Sequence, residues 1–311
     1  LKAGGGILST VSFTREESFE ELYYKTQDRL ALSLAQGITT VEIKSGYGLN
    51  TETELKMLRI IAGLKKECPQ SLHATFLGAH AFPLEYREAR EQYVDILINE
   101  MIPQISEESL AEFCDVFCDE VAFSVDESER ILQVAMGYGM RAKVHADQLS
   151  DTGGAILAAR VGAISAEHLH FVNVAGISAL KKSSVVPVLL PGSSFFLNTK
   201  HYANARAMLD AGLPVALATD FNPGSSMTEN LPFIGTLAAL KMNMSLPEVV
   251  RGITINAARA LGIESKAGSI TVGKDADLLL LDIPDYRTFF YHFATAHKKI
   301  VLKKGKIVYE N

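Results

Sequence analysis

Short apolar segments alternate with longer amphipathic segments along most of this chain, and this pattern predicts its secondary structure. Seven of the apolar segments, several with β-branched residues, predict strands at Gly37–Ser45, Leu72–His80, Cys114–Glu120, Arg141–Asp147, Ala163–His168, Val185–Pro191 and Pro214–Asp220. Short strands that are apolar throughout are typical of a sheet that is covered on both faces. Because predicted helices separate these strands, we expect parallel βαβ units.

The segments between the strands carry start signals for helices. A Ser/Thr-x-x-Glu sequence predicts a capping box, in which two side chains satisfy free amides at the start of a helix. Such sequences begin at Thr14, Thr51, Ser124 and Ser245. A long helix is predicted over Glu16–Gln36, with an apolar stripe that would pack on the outside of a barrel.

The alternation of strands and helices ends before the carboxyl-terminal segment, where Gly268–Asp282 and Lys299–Tyr309 predict short strands joined by glycine turns. We therefore expect an α/β fold, with a (β/α)8 TIM barrel over residues 1–265 and a small β domain over residues 266–311. A closed barrel of this type has eight strands, one more than the pattern shows. The chain also opens at Leu1 in a glycine-rich loop, so we expect the first barrel strand to lie upstream.

Three of the predicted strands end in side chains that can bind a metal ion. His145, His168 and Asp220 each stand at or near the carboxyl end of an apolar segment. Barrel enzymes build their active sites at this end of the strands, so we expect these side chains to converge. Two histidines and one aspartate are typical ligands of catalytic zinc or iron.

Composition narrows the class of protein. The chain has 311 residues, 48% of them hydrophobic, which is enough for one barrel and a small appendage. A formal net charge of -6 argues against nucleic acid as a partner, because phosphate binding needs a basic surface. The apolar runs are too short for a membrane span, and no targeting segment is evident. Cys68, Cys114 and Cys118 are too few for a disulfide framework, which favours the cytoplasm; the last two are expected in the core.

Longer motifs are specific enough to indicate a family. They are Gly4-Gly-Gly-Ile-x-Ser-Thr-Val11, Lys44-Ser-Gly-Tyr-Gly-Leu-Asn50, Gly78-Ala-His-Ala81, Ala111-Glu-Phe-Cys-Asp-Val-Phe-Cys118, Val188-Leu-Leu-Pro-Gly192, Ala218-Thr-Asp-Phe-Asn-Pro-Gly-Ser-Ser226 and Thr254-Ile-Asn-Ala-Ala-Arg-Ala-Leu-Gly262. With them the chain resembles the amidohydrolase superfamily of metal-dependent hydrolases, and in particular its members that act in histidine degradation. The resemblance implies a barrel with a discontinuous β-sandwich, one zinc or iron ion, a small-molecule substrate and a homodimer.

The resemblance also implies ligands that this sequence lacks. Members carry a His-x-His pair at the end of the first barrel strand, ahead of the glycine-rich loop, but no histidine precedes His73 here. This departure agrees with the strand count, which also predicts a missing first strand.

By resemblance, His145 and Asp220 are metal ligands, and Asp220 also accepts the proton of the attacking water. His168 either binds the metal or stabilises the oxyanion of the substrate, and the second role is favoured. His170, two residues further on, can exchange roles with His168. The structural alternatives are a histidine satisfied by backbone for His145 and a helix cap for Asp220.

The resemblance places six residues around the substrate: Tyr47, His80, Gln148, Asn222, Gly224 and Ser225. His80 is also a candidate for proton transfer. Many relatives have glutamate where this chain has Gln148, and an amide cannot transfer a proton. The acid–base role then falls to Asp220, His80 or water.

The implied reaction is hydrolysis of the cyclic amide of 4-imidazolone-5-propanoate to N-formimidoyl-L-glutamate. Three alternatives stay open. The first is an aminohydrolase of the same superfamily acting on a nucleobase-like ring. The second is a non-hydrolytic barrel enzyme in which Pro191–Ser194 or Pro223–Ser226 holds a phosphate. The third is an inactive binding or structural protein that lacks the His-x-His ligands.

Overall fold

The computed structural model describes residues 7–311, so the start of the first glycine motif lies outside the described residues. Its main sheet has seven parallel strands, each hydrogen-bonded to the next in sequence. They are β1 Thr40–Lys44, β2 Ser71–Ala79, β3 Phe113–Cys118, β4 Arg141–Ala146, β5 Ser165–His168, β6 Val186–Leu189 and β7 Ala216–Leu217. All seven predicted strands are present, and their sequential parallel order confirms the TIM-barrel topology. The eighth strand, expected before Leu1, stays a prediction.

Helices connect successive strands and pack against the sheet. Within residues 7–311 they are α1 Ile7–Glu16, α2 Phe19–Ala35, α3 Thr51–Glu67, α4 Arg90–Ile96, α5 Ile102–Glu107, α6 Val125–Gly137, α7 Gly154–Val161, α8 Val174–Ser183, α9 Pro191–Phe196, α10 Ala205–Asp210, α11 Leu231–Lys241, α12 Leu246–Ile253, α13 Ile255–Leu261 and α14 Thr288–Tyr291. A π-helical turn over Leu97–Met101 joins α4 to α5. Among these described helices, none combines the length and the apolar character that crossing a membrane requires.

The carboxyl-terminal segment forms a separate antiparallel sheet. Its strands are β8 Leu278–Leu281, β9 Lys299–Lys303 and β10 Lys306–Glu310, with β9 in the middle. The predicted small β region is therefore present, although its first strand begins only at Leu278. This sheet region is tied to the barrel helices, because the Thr236 hydroxyl in α11 donates to the Phe290 carbonyl at 2.8 Å. A domain boundary near residue 265 stays a prediction.

Two of the four predicted capping boxes are confirmed. Ser124 begins α6 and Ser245 begins α12, and each backbone amide donates to the glutamate three residues later at 2.8 Å. The prediction at Thr14 is wrong because Thr14 lies inside α1. The chain turns after that helix, and α2 is capped by Ser18 and Glu21 instead.

The box predicted at Thr51 is also wrong. Asn50 is the N-cap of α3, and its side-chain oxygen accepts from the Thr53 amide at 2.8 Å. Glu54, the expected partner of Thr51, turns away from the helix end and binds the preceding loop.

We predict that Asn50→Ala lowers the free energy of unfolding by about 1 kcal/mol, because a free amide of α3 loses its acceptor. Thr51→Ala is the matched control and is expected to change stability little. Urea unfolding followed by far-UV circular dichroism measures both, since the chain has no tryptophan. Equal losses for the two variants would contradict this assignment of the cap.

Candidate active site

Three histidines from strands β2, β4 and β5 lie side by side at the carboxyl end of the main sheet. His80 follows β2, His145 lies in β4, and His168 ends β5. The ring centroids of His80 and His145 are 6.0 Å apart, and those of His145 and His168 are 5.1 Å apart. Asp220 follows β7 at the same end of the sheet, near enough for the charge of His145 to act on its carboxyl group. The four side chains line one end of the barrel interior. We call His80, His145, His168 and Asp220 the histidine row, or simply the row.

Several polar atoms in this row are buried without a hydrogen-bond partner. They are Nδ1 of His145, Nδ1 of His168 and Oδ2 of Asp220. Burying a polar atom unpaired costs about 1–3 kcal/mol, and native proteins seldom accept three such costs in one place. The donor set is therefore suited to a bound ligand or ion.

Two of these residues also have a strained backbone. His168 has φ 69° and Asp220 has φ 52°, both in the left-handed region that side chains other than glycine seldom adopt. Such strain persists only where the surrounding structure enforces it, and it is common at functional sites. Here it bends the chain at the ends of β5 and β7, where each side chain enters the site.

Burial sets the protonation states of the row. It raises the pKa of Asp220 to about 7 and, together with the neighbouring His145, lowers the pKa of His80 to about 3. Burial and the same neighbour also lower the pKa of His168 well below its usual range. His80 and His168 are therefore neutral at physiological pH, with nitrogen lone pairs available. Burial and the charge of Asp220 raise the pKa of Tyr47, which keeps its phenol protonated.

Below the histidines, the barrel interior contains a cluster of charged side chains, which we call the charged floor. Its members are Glu42, Lys44, Asp115, Lys143 and Glu167. The Lys44 ammonium lies 2.6 Å from Asp115, 2.9 Å from Glu167 and 3.0 Å from Glu42. Sequence reasoning missed this cluster. A signal was present, because polar residues at every second position of an apolar strand point to the same face.

The charged floor reaches the histidine row through Asp115. Its Oδ2 lies 3.0 Å from Nδ1 of His145, although the two atoms are poorly aligned for a hydrogen bond. Burial alone would lower the pKa of His145, but the charge of Asp115 raises it. Asp115 therefore restrains the His145 ring from the interior side.

Two overlapping groups of residues can be considered for a metal ion. In the described part of the chain, potential ligand atoms of Asp115, His145 and Glu167 lie within 4.8 Å of one another. The predicted trio of His145, His168 and Asp220 does not form an equally tight group there. The Lys44 ammonium, however, already occupies the position between the two carboxylates. A cation is therefore better suited to the row, where nitrogen and oxygen atoms lack partners.

The loop after Asp220 is a compact turn held by Asn222. The side-chain oxygen of Asn222 accepts from the amides of Gly224 and Ser225 at 2.9 and 2.8 Å. Its side-chain nitrogen donates to the Asp220 carbonyl at 2.7 Å. These polar groups follow Asp220 directly and bind one another within the turn. Their contact with a substrate stays a prediction.

Tyr47 lies beside His80 at one end of the row, and Gln148 lies in the loop that follows β4. The Tyr47 ring packs edge-on against His80, with centroids 5.2 Å apart. The Gln148 carbonyl accepts from Nδ1 of His170 at 3.2 Å, and Nε2 of His170 pairs with the Ser194 hydroxyl at 3.0 Å. His170 thus holds the loop that carries Gln148 and has its own partners, unlike His168.

The two candidate phosphate cradles are closed by internal hydrogen bonds. The Ser193 hydroxyl donates to the Leu190 carbonyl at 2.9 Å, and the Ser226 hydroxyl donates to the Thr219 carbonyl at 2.7 Å. Because Ser194 is bound to His170, these hydroxyls are occupied by the fold. The geometry gives no support to a phosphate site at either turn.

Comparisons with known proteins agree with this architecture. The model of the Amidohydrolase family matches residues 17–308. The fold is similar to that of a zinc-bound adenosine deaminase from Xanthomonas campestris, with a TM-score of 0.71 and 20% identity over 94% of this chain and 70% of that one. At that identity the likeness concerns the fold alone.

Two sequence relatives are much more similar. Imidazolonepropionase from Alkaliphilus oremlandii is 50% identical over 310 residues, which cover 100% of this chain and 74% of the relative. Imidazolonepropionase from Shouchella clausii is also 50% identical over 310 residues, and the match covers 69% of its length. The chain therefore belongs to the amidohydrolase family and, within it, to the imidazolonepropionases.

Proposed function

We propose that this chain hydrolyses the cyclic amide of 4-imidazolone-5-propanoate to N-formimidoyl-L-glutamate in histidine degradation. The relatives' identity of 50% along the whole chain supports the substrate. The structural observation that supports hydrolysis at a metal ion is the group of His145, His168 and Asp220. Their buried polar atoms lack hydrogen-bond partners at the carboxyl ends of the strands.

The row fits a zinc or iron ion, with His145 and Asp220 as ligands and His168 adjacent. Imidazole nitrogen and carboxylate oxygen suit both metals, so the donor set does not choose between them. When bound, such an ion lowers the pKa of water to near neutrality and polarises a carbonyl group.

Asp220 is the proposed proton carrier, and His80 is proposed to orient the ring by hydrogen bonding. The ionised Asp220 carboxylate accepts the proton of the attacking water and delivers it to the ring nitrogen that leaves as the carbon–nitrogen bond breaks. His80 holds its Nδ1 hydrogen toward the Gly46 carbonyl, 3.0 Å away. Its Nε2 can then accept a hydrogen bond from the N–H of the other ring nitrogen, the one that stays bound to the glutamate carbon. The neutral His168, protonated on its unpartnered Nδ1, donates to the oxyanion as the carbonyl carbon becomes tetrahedral.

Recognition of the substrate is assigned to the flanking residues. The protonated phenol of Tyr47 donates to the substrate carboxylate, and the Gln148 amide hydrogen-bonds the ring without transferring a proton. Asn222, Gly224 and Ser225 hold the part of the substrate that becomes glutamate. This requires the Asn222 turn to exchange an internal hydrogen bond for one to the ligand.

We predict that removing the metal abolishes ring opening and that zinc or iron restores it. Protein treated with a chelator would be assayed for loss of 4-imidazolone-5-propanoate and formation of N-formimidoyl-L-glutamate, before and after each metal is returned. Guanine and adenosine serve as control substrates for the aminohydrolase alternative, with ammonia as the readout. Release of ammonia without imidazolone opening would contradict the proposal, as would the absence of ring opening with either metal.

A cytoplasmic location, a homodimer and a barrel domain ending near residue 265 complete the proposal. Cys68, Cys114 and Cys118 are all free, which suits a reducing compartment. The homodimer rests on the family resemblance, and light scattering of the purified protein would test it.

A further inference from the structure

Glu54 is a completely buried acid that the proposed chemistry does not use. It stands in the first turn of α3 and has a relative exposure of 0%. Its carboxylate accepts three backbone amides: Gly46 on Oε2 at 2.9 Å, and Gly48 and Leu49 on Oε1 at 2.8 and 2.9 Å. A carboxylate held by several amides is strongly bound and well oriented. Glu54 therefore anchors the loop between β1 and α3.

The anchored loop reaches the histidine row through the backbone of one residue, Gly46. The amide of Gly46 donates to Glu54, and its carbonyl accepts from Nδ1 of His80 at 3.0 Å. Because a carbonyl oxygen can only accept, this contact places the His80 hydrogen on Nδ1. The lone pair of Nε2 then points away from the loop. Glu54 thus acts on His80 through the intervening Gly46.

The loop has no room to shift without losing this arrangement. A Cβ atom on Gly46 would lie 2.6 Å from the Leu77 carbonyl oxygen, and one on Gly48 would lie 2.6 Å from Cβ of Thr53. Leu49 has φ 53° and is buried. Such a backbone needs strong partners to stay in place.

The other loop carbonyls have a partner of their own. Arg15 donates to the Gly48 carbonyl at 2.7 Å and to the Leu49 carbonyl at 3.1 Å. The far end of the loop is therefore held by both Arg15 and Glu54, whereas the Gly46 amide depends on Oε2 of Glu54. We therefore expect the hydrogen bond between Gly46 and His80 to be the part of the loop that the loss of Glu54 affects most.

We propose that Glu54 is a positioning residue that fixes the tautomer and orientation of His80 through the backbone of Gly46, whose amide binds Glu54 and whose carbonyl binds His80. The effect on catalysis rests on the proposed function, in which Nε2 of His80 accepts a hydrogen bond from the imidazolone ring. The effect on His80 itself does not depend on the substrate.

Glu54→Gln tests this link selectively. The orientation of glutamine that keeps the most hydrogen bonds leaves its oxygen on the Gly48 and Leu49 amides. Its NH2 group then faces the Gly46 amide. Because both groups are donors, no hydrogen bond forms between them. We expect kcat/KM per metal-loaded protein to fall by about 10–100-fold, the usual effect of losing an indirect positioning contact. Glu52→Gln is the matched control, because Glu52 is an exposed glutamate in the same helical turn.

A double-mutant cycle with His80→Ala separates positioning from a purely structural role. Where the imidazole is absent, Glu54→Gln is expected to change kcat/KM by no more than about 2-fold. Full additivity of the two substitutions would overturn the proposal, as would a kcat/KM for Glu54→Gln equal to that of Glu52→Gln. If Glu54→Gln does not fold, Glu54→Asp enters the same cycle, since its shorter carboxylate also withdraws from the Gly46 amide.

Imidazole 15N NMR gives a readout without substrate. The His80 signals, identified by their absence in His80→Ala, are expected to show hydrogen on Nδ1 in the parent protein and a mixture of tautomers in Glu54→Gln. Unchanged tautomer signals would also overturn the positioning role. If the parent protein opens no imidazolone ring, the proposed function fails, while the NMR comparison still decides the role of Glu54.

Discussion

Asp220→Asn is expected to lower kcat/KM for imidazolone hydrolysis by at least about 10³-fold, the largest effect we predict for one substitution on activity. The carboxylate is proposed both to bind the metal and to accept the proton of water. Asparagine is nearly isosteric and keeps an oxygen, but it cannot take a proton. Initial rates, bound metal and the unfolding temperature would be measured together, so that loss of fold is distinguished from loss of chemistry.

The pH dependence of kcat/KM tests the same role of Asp220. Burial raises the pKa of Asp220 to about 7, so the active ionised form gains as pH rises through that value. A bound cation favours the ionised form and lowers this pKa, which places the rising limb of kcat/KM at or below about pH 7. The residual activity of Asp220→Asn should lack this limb.

Asp210→Asn is the control for the loss of one aspartate. Asp210 is exposed on α10 and pairs with Arg206 one helical turn away, so its replacement should leave the rate unchanged. If Asp220→Asn kept its metal and worked within about 10-fold of the parent rate, the proton-accepting role would be wrong.

Lys44→Met is expected to lower the free energy of unfolding by about 3–5 kcal/mol, the largest stability effect we predict. The Lys44 ammonium contacts three carboxylates of the charged floor, and Asp115 and Glu167 are buried. Methionine fills a similar volume but leaves those charges without their main partner. Lys143 still pairs with Glu42 and lies 3.6 Å from Glu167, but among the described residues it forms no ion pair with Asp115. Urea unfolding followed by circular dichroism measures the loss.

Lys25→Met provides the comparison for an exposed pair. Lys25 binds Glu17 at the surface, where an ion pair contributes at most about 1 kcal/mol. A similarly small loss for Lys44→Met would mean that the buried carboxylates tolerate its removal. The charged floor would then not be a main source of stability.

Strand positions were predictable because each apolar segment is bounded by polar or turn-forming residues. The seven segments predicted from the sequence all became strands of one parallel sheet. Their ends were less predictable, since a strand ends where its neighbour stops pairing. The segment Pro214–Asp220 illustrates this, because only Ala216 and Leu217 pair with β6. The rest of the segment bends to bring Asp220 into the site.

The charged floor shows what strand prediction leaves out. Lys143 and His145 are two residues apart on β4, and the sequence alone shows that they share a face. Which charges they meet depends on the register with the neighbouring strands. Along the backbone, Lys143 lies opposite Asp115 and His145 lies opposite Glu167, while the Lys143 ammonium reaches Glu42. That register results from the packing of the whole sheet.

By itself, the sequence determined the order of strands and helices, the family and the residues at the strand ends, because these follow from local patterns and motifs. Only the tertiary structure decided the partners of buried polar groups. Glu54 is the clearest case. Its position after Thr51 predicts a helix cap, yet its carboxylate binds three loop amides. A side chain binds the strongest set of donors within reach, and the folded path of the preceding loop decides which amides those are.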